Sequence, residues 1–182
     1  MDLKDIRRRL ASDQPSQISQ KAATRAWLSS LSRDYPLALT LTLKQKIVHQ
    51  TPHGRHEHAI GREDVERIAR RFMQKLNRAV FGKRAADKHG RSLRYIAVLE
   101  GERSKKNLHL HFSIGALPST IRFNQFDALV REAKSHVEHV DEQHKVDLAD
   151  SGWMEYICKE LGRKDTDNVL LTCPGIFGPL VT

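Results

Sequence analysis

Cysteine is almost absent: Cys158 and Cys173 are the only two in 182 residues. Two cysteines make no disulfide framework, so the fold must rest on an apolar core, and a reducing compartment is the simplest expectation. Long hydrophobic runs are missing too, and none approaches the ~20 residues that a membrane-spanning helix needs. The first residues, MDLKDIRRRLASDQ, lack the apolar segment of a secretory signal. The expected location is therefore intracellular, away from the membrane. Aromatic residues make up only 6%, which argues against a sheet surface that stacks bases on a row of exposed rings. The chain has no internal repeat and no Gly/Ser-rich linker to split it. A helical arm over 1–34 and one globular unit over 35–182 are the expected organisation.

What the chain has in excess is positive charge. Lys+Arg number 31 against 22 Asp+Glu, a net +9, with a sequence pI near 9.8. That balance suits a polyanion such as nucleic acid, held through phosphate contacts and therefore sensitive to salt. Anionic lipid competes as a partner, but no strongly amphipathic basic helix carries the large aromatics that would anchor it.

The stretch SLRYIAVLEGERSKKNLHLHFSIG at 92–115 reads as two strands joined by a short basic loop containing Lys105 and Lys106. In the second strand Leu108, Leu110, Phe112 and Ile114 alternate with Asn107, His109, His111 and Ser113. Alternation puts the apolar side chains on one face and both histidines on the other, ~6.6 Å apart along the strand. Glu100 ends the preceding strand, where antiparallel pairing can bring its carboxylate beside them. Two imidazoles and a carboxylate are the donor set of a divalent-metal site with open positions. Glu102 shares that strand face if the strand continues so far, so it remains a second candidate for the third ligand. A histidine pair on a strand is also often only a surface feature.

Elsewhere, KDIRRRL and SQISQKAATRAWLSSLSRD suggest two helical pieces, a packing arm in which Arg7, Arg8 and Arg9 have the alternative of touching phosphate. PLALTLTLK predicts a half-buried strand, with Thr40, Thr42 and Lys44 on its polar side. The threonines reflect strand propensity or line a site floor. HQTPHGRHEHAIG at 49–61 reads as a polar loop. Its His56-Glu57-His58 lies among Pro52, Gly54 and Gly61, without flanking apolar alternation, so nothing rigid is expected to hold ligands there. A helix over 62–82 carries the apolar stripe Val65, Ile68, Phe72, Leu76 and Ala79/Val80, with a basic outer face of Arg67, Arg70, Arg71, Lys75 and Arg78. GKRAADKHGR at 82–91 reads as a basic turn. A second amphipathic helix runs through FNQFDALVREAKSHVEHV, HKVDL suggests a short strand, 150–162 a short helix capped by Asp150 or Ser151, and NVLLTC a last strand. This order predicts an α+β fold of the ferredoxin-like (RRM-like) type, an antiparallel sheet with helices on one face.

On the 150–162 helix Trp153, Met154, Ile157, Cys158 and Leu161 share an arc, while Tyr156 and Lys159 fall together opposite, with Glu160 beside Tyr156. A phenol is a poor nucleophile near neutrality because its pKa is ~10. It becomes useful where a metal polarises the electrophile and a cation positions the charged groups.

Three motifs in order give a resemblance. ALTLTLK at 38–44, LHLHF at 108–112 and YICK at 156–159 resemble the motifs of HUH endonucleases, in particular single-tyrosine replication initiators (Rep) of rolling-circle plasmids and small circular DNA viruses. The resemblance implies the HUH nuclease fold, with Tyr156 attacking a DNA phosphate in a single-stranded or hairpin origin. It implies a 5′-phosphotyrosine and a free 3′-hydroxyl, with Mg²⁺ or Mn²⁺ held by His109, His111 and Glu100. Lys159 would position the phosphate or the metal-bound groups. Thr40, Thr42, Lys44, Lys105, Lys106 and Arg163 are the candidate DNA contacts. Similar single-tyrosine transposases use a ligand one turn after the tyrosine, which keeps Glu160 among the candidates and transposition as the nearest rival. No G-x-x-x-x-G-K-[ST] occurs, so a separate helicase, with a polymerase, is the expected partner. The location would be cytoplasmic in a bacterium and nuclear for a eukaryotic virus. Two other classes compete: a non-enzymatic nucleic-acid-binding domain, and a zinc hydrolase that gives Tyr156 no role.

Overall fold

The computed structural model describes residues 20–102, 107–150, 152–159 and 168–170. Its frame is a four-stranded sheet in the order β4-β5-β1-β6, formed by β1 (Leu37–Leu43), β4 (Arg94–Glu100), β5 (His109–Gly115) and β6 (Val140–Leu148). Every neighbouring pair is antiparallel. The leucines of β1 and the apolar set of β5 point the same way because directly paired residues share a face: Leu39 lies opposite Phe112 and Leu41 opposite Leu110. Thr40 and Thr42 then necessarily lie opposite His111 and His109 on the other face.

The first face packs against α2 (Arg62–Phe81) and α4 (Phe123–Ser135). Val65, Ile68, Ala69, Phe72, Met73 and Leu76 form the buried stripe of α2. Phe126, Val130 and Ala133 form that of α4. Phe72 meets Phe112 at a centroid distance of 5.6 Å, and both are fully buried. Each such side chain contributes roughly 1.5–3 kcal/mol by leaving water. Helix α2 starts where the Gly61 N–H donates to Asp64 Oδ2 and stops at Gly82, whose φ of 83° breaks the helical path.

The second face also carries helices, a departure from the one-sided layering expected from element order. Leu28 of α1 (Gln20–Ser30) and Met154, Ile157 and Cys158 in and just after α5 (Trp153–Ile157) bury Ile96 and Val98 of β4 together with Tyr35 and Val169. Residues 168–170 lie along β4, with Leu99 N–H donating to Asn168 O and Leu170 N–H to Ala97 O. The expected final strand is thus present there as an isolated antiparallel bridge, Val98 to Val169, and 171–173 lie outside the described residues.

Other expectations are corrected locally. The polar 49–61 segment is a two-stranded hairpin, β2 (Lys46–Thr51) and β3 (Gly54–Ala59). It escaped the sequence pattern because only Ile47 is buried among its strand residues, so no apolar alternation marks it. The basic turn is a short helix, α3 (Lys83–His89), bounded by Gly82 and by Gly90 in the left-handed region. Helix α4 ends at Ser135, and Val140 opens β6, a nine-residue strand rather than the short HKVDL. In α5 the N-cap is Gly152, whose N–H donates to Asp150 Oδ1.

One glycine is sterically required. A Cβ on Gly115, at the end of β5, would fall on the Asp34 carbonyl oxygen, with the carbonyl carbon at 3.1 Å. Backbone on both sides cannot rotate aside. Gly115→Ala is expected to cost about 3 kcal/mol or more, read as a lower urea midpoint at unchanged m-value. An unchanged midpoint would show that the Ser32–Asp34 turn yields freely.

Candidate active site on the second sheet face

The second face assembles its polar residues by register. Val98 of β4 lies opposite His111, and Glu100 opposite His109; β1 adds Thr40 and Thr42 from the other side. Glu100 leans diagonally, so that its Oε2 lies 2.6 Å from His111 Nε2. On the far side of that ring, Thr40 Oγ1 is 3.0 Å from His111 Nδ1. His109 Nδ1 is 3.4 Å from Thr42 Oγ1. His111 and Glu100 are both buried, whereas His109 is half-buried.

Helix α5 delivers the second half. Its apolar arc buries Met154 and Ile157, and Trp153 Nε1–H donates to Ser113 Oγ at 2.9 Å, fixing the helix across β5. That docking turns Tyr156 toward the histidines. Its ring meets His111 edge-on at 5.6 Å and stacks on Trp153 at 5.7 Å, yet Tyr156 stays 47% exposed. Lys159 Nζ sits 3.8 Å from the Tyr156 ring centroid and 2.8 Å from Glu100 Oε1. One buried carboxylate is therefore shared between His111 and Lys159, directly beneath an exposed phenol.

The charges follow from these contacts. Burial pushes the His111 pKa below its ordinary value, against the opposing pull of Glu100, so the ring is neutral near pH 7. Burial alone would raise Glu100, but the hydrogen bonds from Lys159 and His111 outweigh it and hold the carboxyl below its usual range. Lys159 loses hydration too, and its contacts with Glu100 and Tyr156 still raise it above the ordinary lysine value. A carboxylate only accepts, so His111 Nε2 carries the proton and Nδ1 accepts the Thr40 hydroxyl.

The geometry sorts the candidates. Glu100, His109, His111, Thr40, Thr42, Tyr156 and Lys159 share one face. Strand β4 ends at Glu100 and Glu102 lies in the exposed turn beyond it, so the contact with His111 is made by Glu100. Lys44 is exposed just past β1, its N–H donating to His139 O. Arg7, Arg8, Arg9, Lys105, Lys106, Glu160 and Arg163 lie outside the described residues. The cations Arg67, Arg70, Arg71 and Lys75 edge a shallow depression on α2, behind the sheet from Tyr156. His56 and His58 stand on the exposed hairpin, where His58 stacks on His49 at 5.3 Å and reaches Asp64 at 3.4 Å.

Two imidazoles and a carboxylate fit a divalent cation by donor chemistry. As placed, however, the His109 and His111 ring centroids are 6.3 Å apart and Lys159 occupies one oxygen of Glu100. Among the described residues no group of three or more His, Cys, Asp or Glu is drawn together closely enough to hold an ion. Trp153 is a residue the sequence pattern assigned only to the apolar arc; it forms a wall of the site. Lys145 and Asp147 were also missed. They pair with Thr40 and Ala38 and border a cavity of about 430 Å³ beside Tyr156. The alternation of β6 would have placed them there once its partner strand was known.

No helix among the described residues is long and apolar enough to cross a membrane. No curated protein and no solved structure matches the chain at a significant level. The family of replication-associated proteins of the ORF2 type matches residues 36–165, from the start of β1 to just beyond Lys159. That span holds the whole sheet, the histidine strand and the tyrosine helix, and most of the chain: the protein belongs to the replication-associated protein ORF2 family.

Proposed function

We propose that this protein starts replication by a divalent-metal-dependent cut of single-stranded or hairpin DNA, with Tyr156 as the nucleophile, and rejoins the strand by the reverse step. The observation that carries this reading is the docking of α5, which sets the exposed Tyr156 and Lys159 directly against the buried His111–Glu100 pair. The Tyr156 oxygen bonds to phosphorus and the P–O3′ bond breaks. The phenol gives up its proton and the departing 3′ oxygen gains one, leaving a 5′-phosphotyrosine and a 3′-hydroxyl able to prime synthesis. One phosphodiester replaces another, so the bond energy is kept for religation. Lys159, lying over the Tyr156 ring, favours the anionic form of the phenol and attracts the phosphate.

Mg²⁺ or Mn²⁺, when bound, would polarise the scissile phosphate. His109, His111 and Glu100 are the residues to hold it. His111 can offer Nε2 only if its proton moves to Nδ1, and the Thr40 hydroxyl serves either tautomer because it both donates and accepts. Thr40 is thus more than a strand former here. The cationic face of α2 lies behind the sheet, so the phosphates it attracts belong to DNA away from the cut. A helicase and a polymerase complete the reaction in this reading.

The test uses labelled single-stranded DNA from a diverse library, with Mn²⁺ or chelator, resolved on a denaturing protein gel. A covalent adduct is expected with Mn²⁺, reduced at least ~100-fold by chelator. Binding without any adduct across the library would return the protein to a non-enzymatic DNA-binding role.

A further inference from the structure

Tyr156 stands between two unlike regions of the second sheet face. On one side are the histidines, Glu100 and Lys159. On the other, over β1 and β6, is the cavity of about 430 Å³, lined by Ala38, Thr40, Lys145, Asp147, Asp150 and Trp153 among others. Its size matches a small organic ligand or a single nucleoside. One wall is aromatic, since Trp153 and Tyr156 lie nearly parallel, with an interplanar angle of 21°. The remaining charged lining is two carboxylates against one lysine. Asp147 is already ion-paired with Lys145 at 3.0 Å, and Asp150 is fixed by the Gly152 N–H.

Those charges exclude a phosphate as the occupant. An anion entering this cavity would meet a net negative wall with its one cation engaged, whereas a neutral planar ring would gain stacking and find acceptors at the rim. Thymine offers no exocyclic amino group to such acceptors, while cytosine, adenine and guanine do.

We propose that this cavity is a nucleobase subsite, which takes one unpaired base against Trp153 and selects those with an exocyclic amino group through Asp147 and Asp150. The inference rests on the reading of Tyr156 as the DNA nucleophile. A strand whose scissile phosphate lies over the histidine side brings the adjoining base to the β1–β6 side of the same ring. Base preference next to the cut would then be set by β6 and the start of α5, not by the cationic surface of α2.

The experiment uses the full chain carrying Tyr156→Phe, which keeps the ring wall and prevents turnover. It is titrated with the single-stranded pentamers dC5, dA5 and dT5, following intrinsic tryptophan fluorescence and anisotropy of end-labelled DNA. Only Trp27 and Trp153 contribute. Quenching is expected with dC5 and dA5, which should bind about 10-fold more tightly than dT5. The paired substitutions Asp147→Asn and Asp150→Asn should bring the dC5/dT5 ratio close to 1, and Trp153→Phe should weaken all three pentamers. Equal affinities for the three with the native aspartates, or a preference unaltered by the asparagines, would overturn the subsite. If the adduct forms in the native protein while this preference is absent, only the subsite fails. If no pentamer binds and no adduct forms, the nuclease reading fails with it.

Discussion

Tyr156→Phe is expected to leave the protein folded, to leave its affinity for single-stranded DNA within about threefold, and to abolish the covalent adduct. The substitution removes one oxygen from a side chain that is 47% exposed. The ring contacts to Trp153, His111 and Lys159 are made by the aromatic carbons and survive. Stability should therefore change by no more than about 0.5 kcal/mol, so a thermal melt superimposable on that of the native protein serves as the control. The adduct, in contrast, has no alternative acceptor of the same kind. The chain has three tyrosines, and Tyr35 and Tyr95 are buried in the two hydrophobic cores. A fall of at least ~10³-fold, to the detection limit of the gel, is the expected size for loss of a covalent nucleophile. An adduct persisting in Tyr156→Phe would transfer the nucleophile to another residue and end the assignment.

Glu100→Gln should be the most damaging near-isosteric change in the site. Glu100 is buried and holds His111 on one oxygen and Lys159 on the other. Glutamine keeps the volume and can still accept from His111, but it has no charge for Lys159 or for a metal. Loss of a ligand in this position should lower adduct formation by about 10²-fold or more at limiting Mn²⁺, with partial recovery as Mn²⁺ is raised. Stability should fall modestly, by about 1 kcal/mol, because Lys159 is partly exposed and regains water. Glu100→Ala should lose more, roughly 1–3 kcal/mol, since it also strands the His111 N–H. A purely structural carboxylate predicts the reverse pattern: a lower melting temperature with adduct formation at saturating Mn²⁺ unaffected. The Mn²⁺ dependence of the glutamine variant is therefore the deciding measurement.

Much of this site can be read along the chain. The leucines of 37–43 and the apolar set of 108–114 alternate because strand side chains do, and the same alternation necessarily sets Thr40, Thr42, His109 and His111 on the opposite side. Helical spacing likewise separates Tyr156 and Lys159 from Met154 and Ile157. These regularities belong to backbone geometry, which each residue carries locally. The hairpin at 46–59 shows where such reading stops. Its strands are held by backbone pairing and anchored by Ile47 alone, so the amphipathic pattern that reveals a buried strand is missing.

By itself, the sequence determined an α+β fold, a basic surface, the histidine strand and the tyrosine helix. Only the tertiary structure decided that Glu100 rather than Glu102 reaches His111, that Lys159 closes on that same carboxylate, and that Trp153 and β6 wall a cavity beside Tyr156. The difference is physical. Periodicity specifies which face a residue occupies, whereas a contact between strands and a docked helix depends on register, on the Trp153–Ser113 hydrogen bond and on burial of Met154 and Ile157. Those are long-range packing terms, and no single segment of the chain contains them.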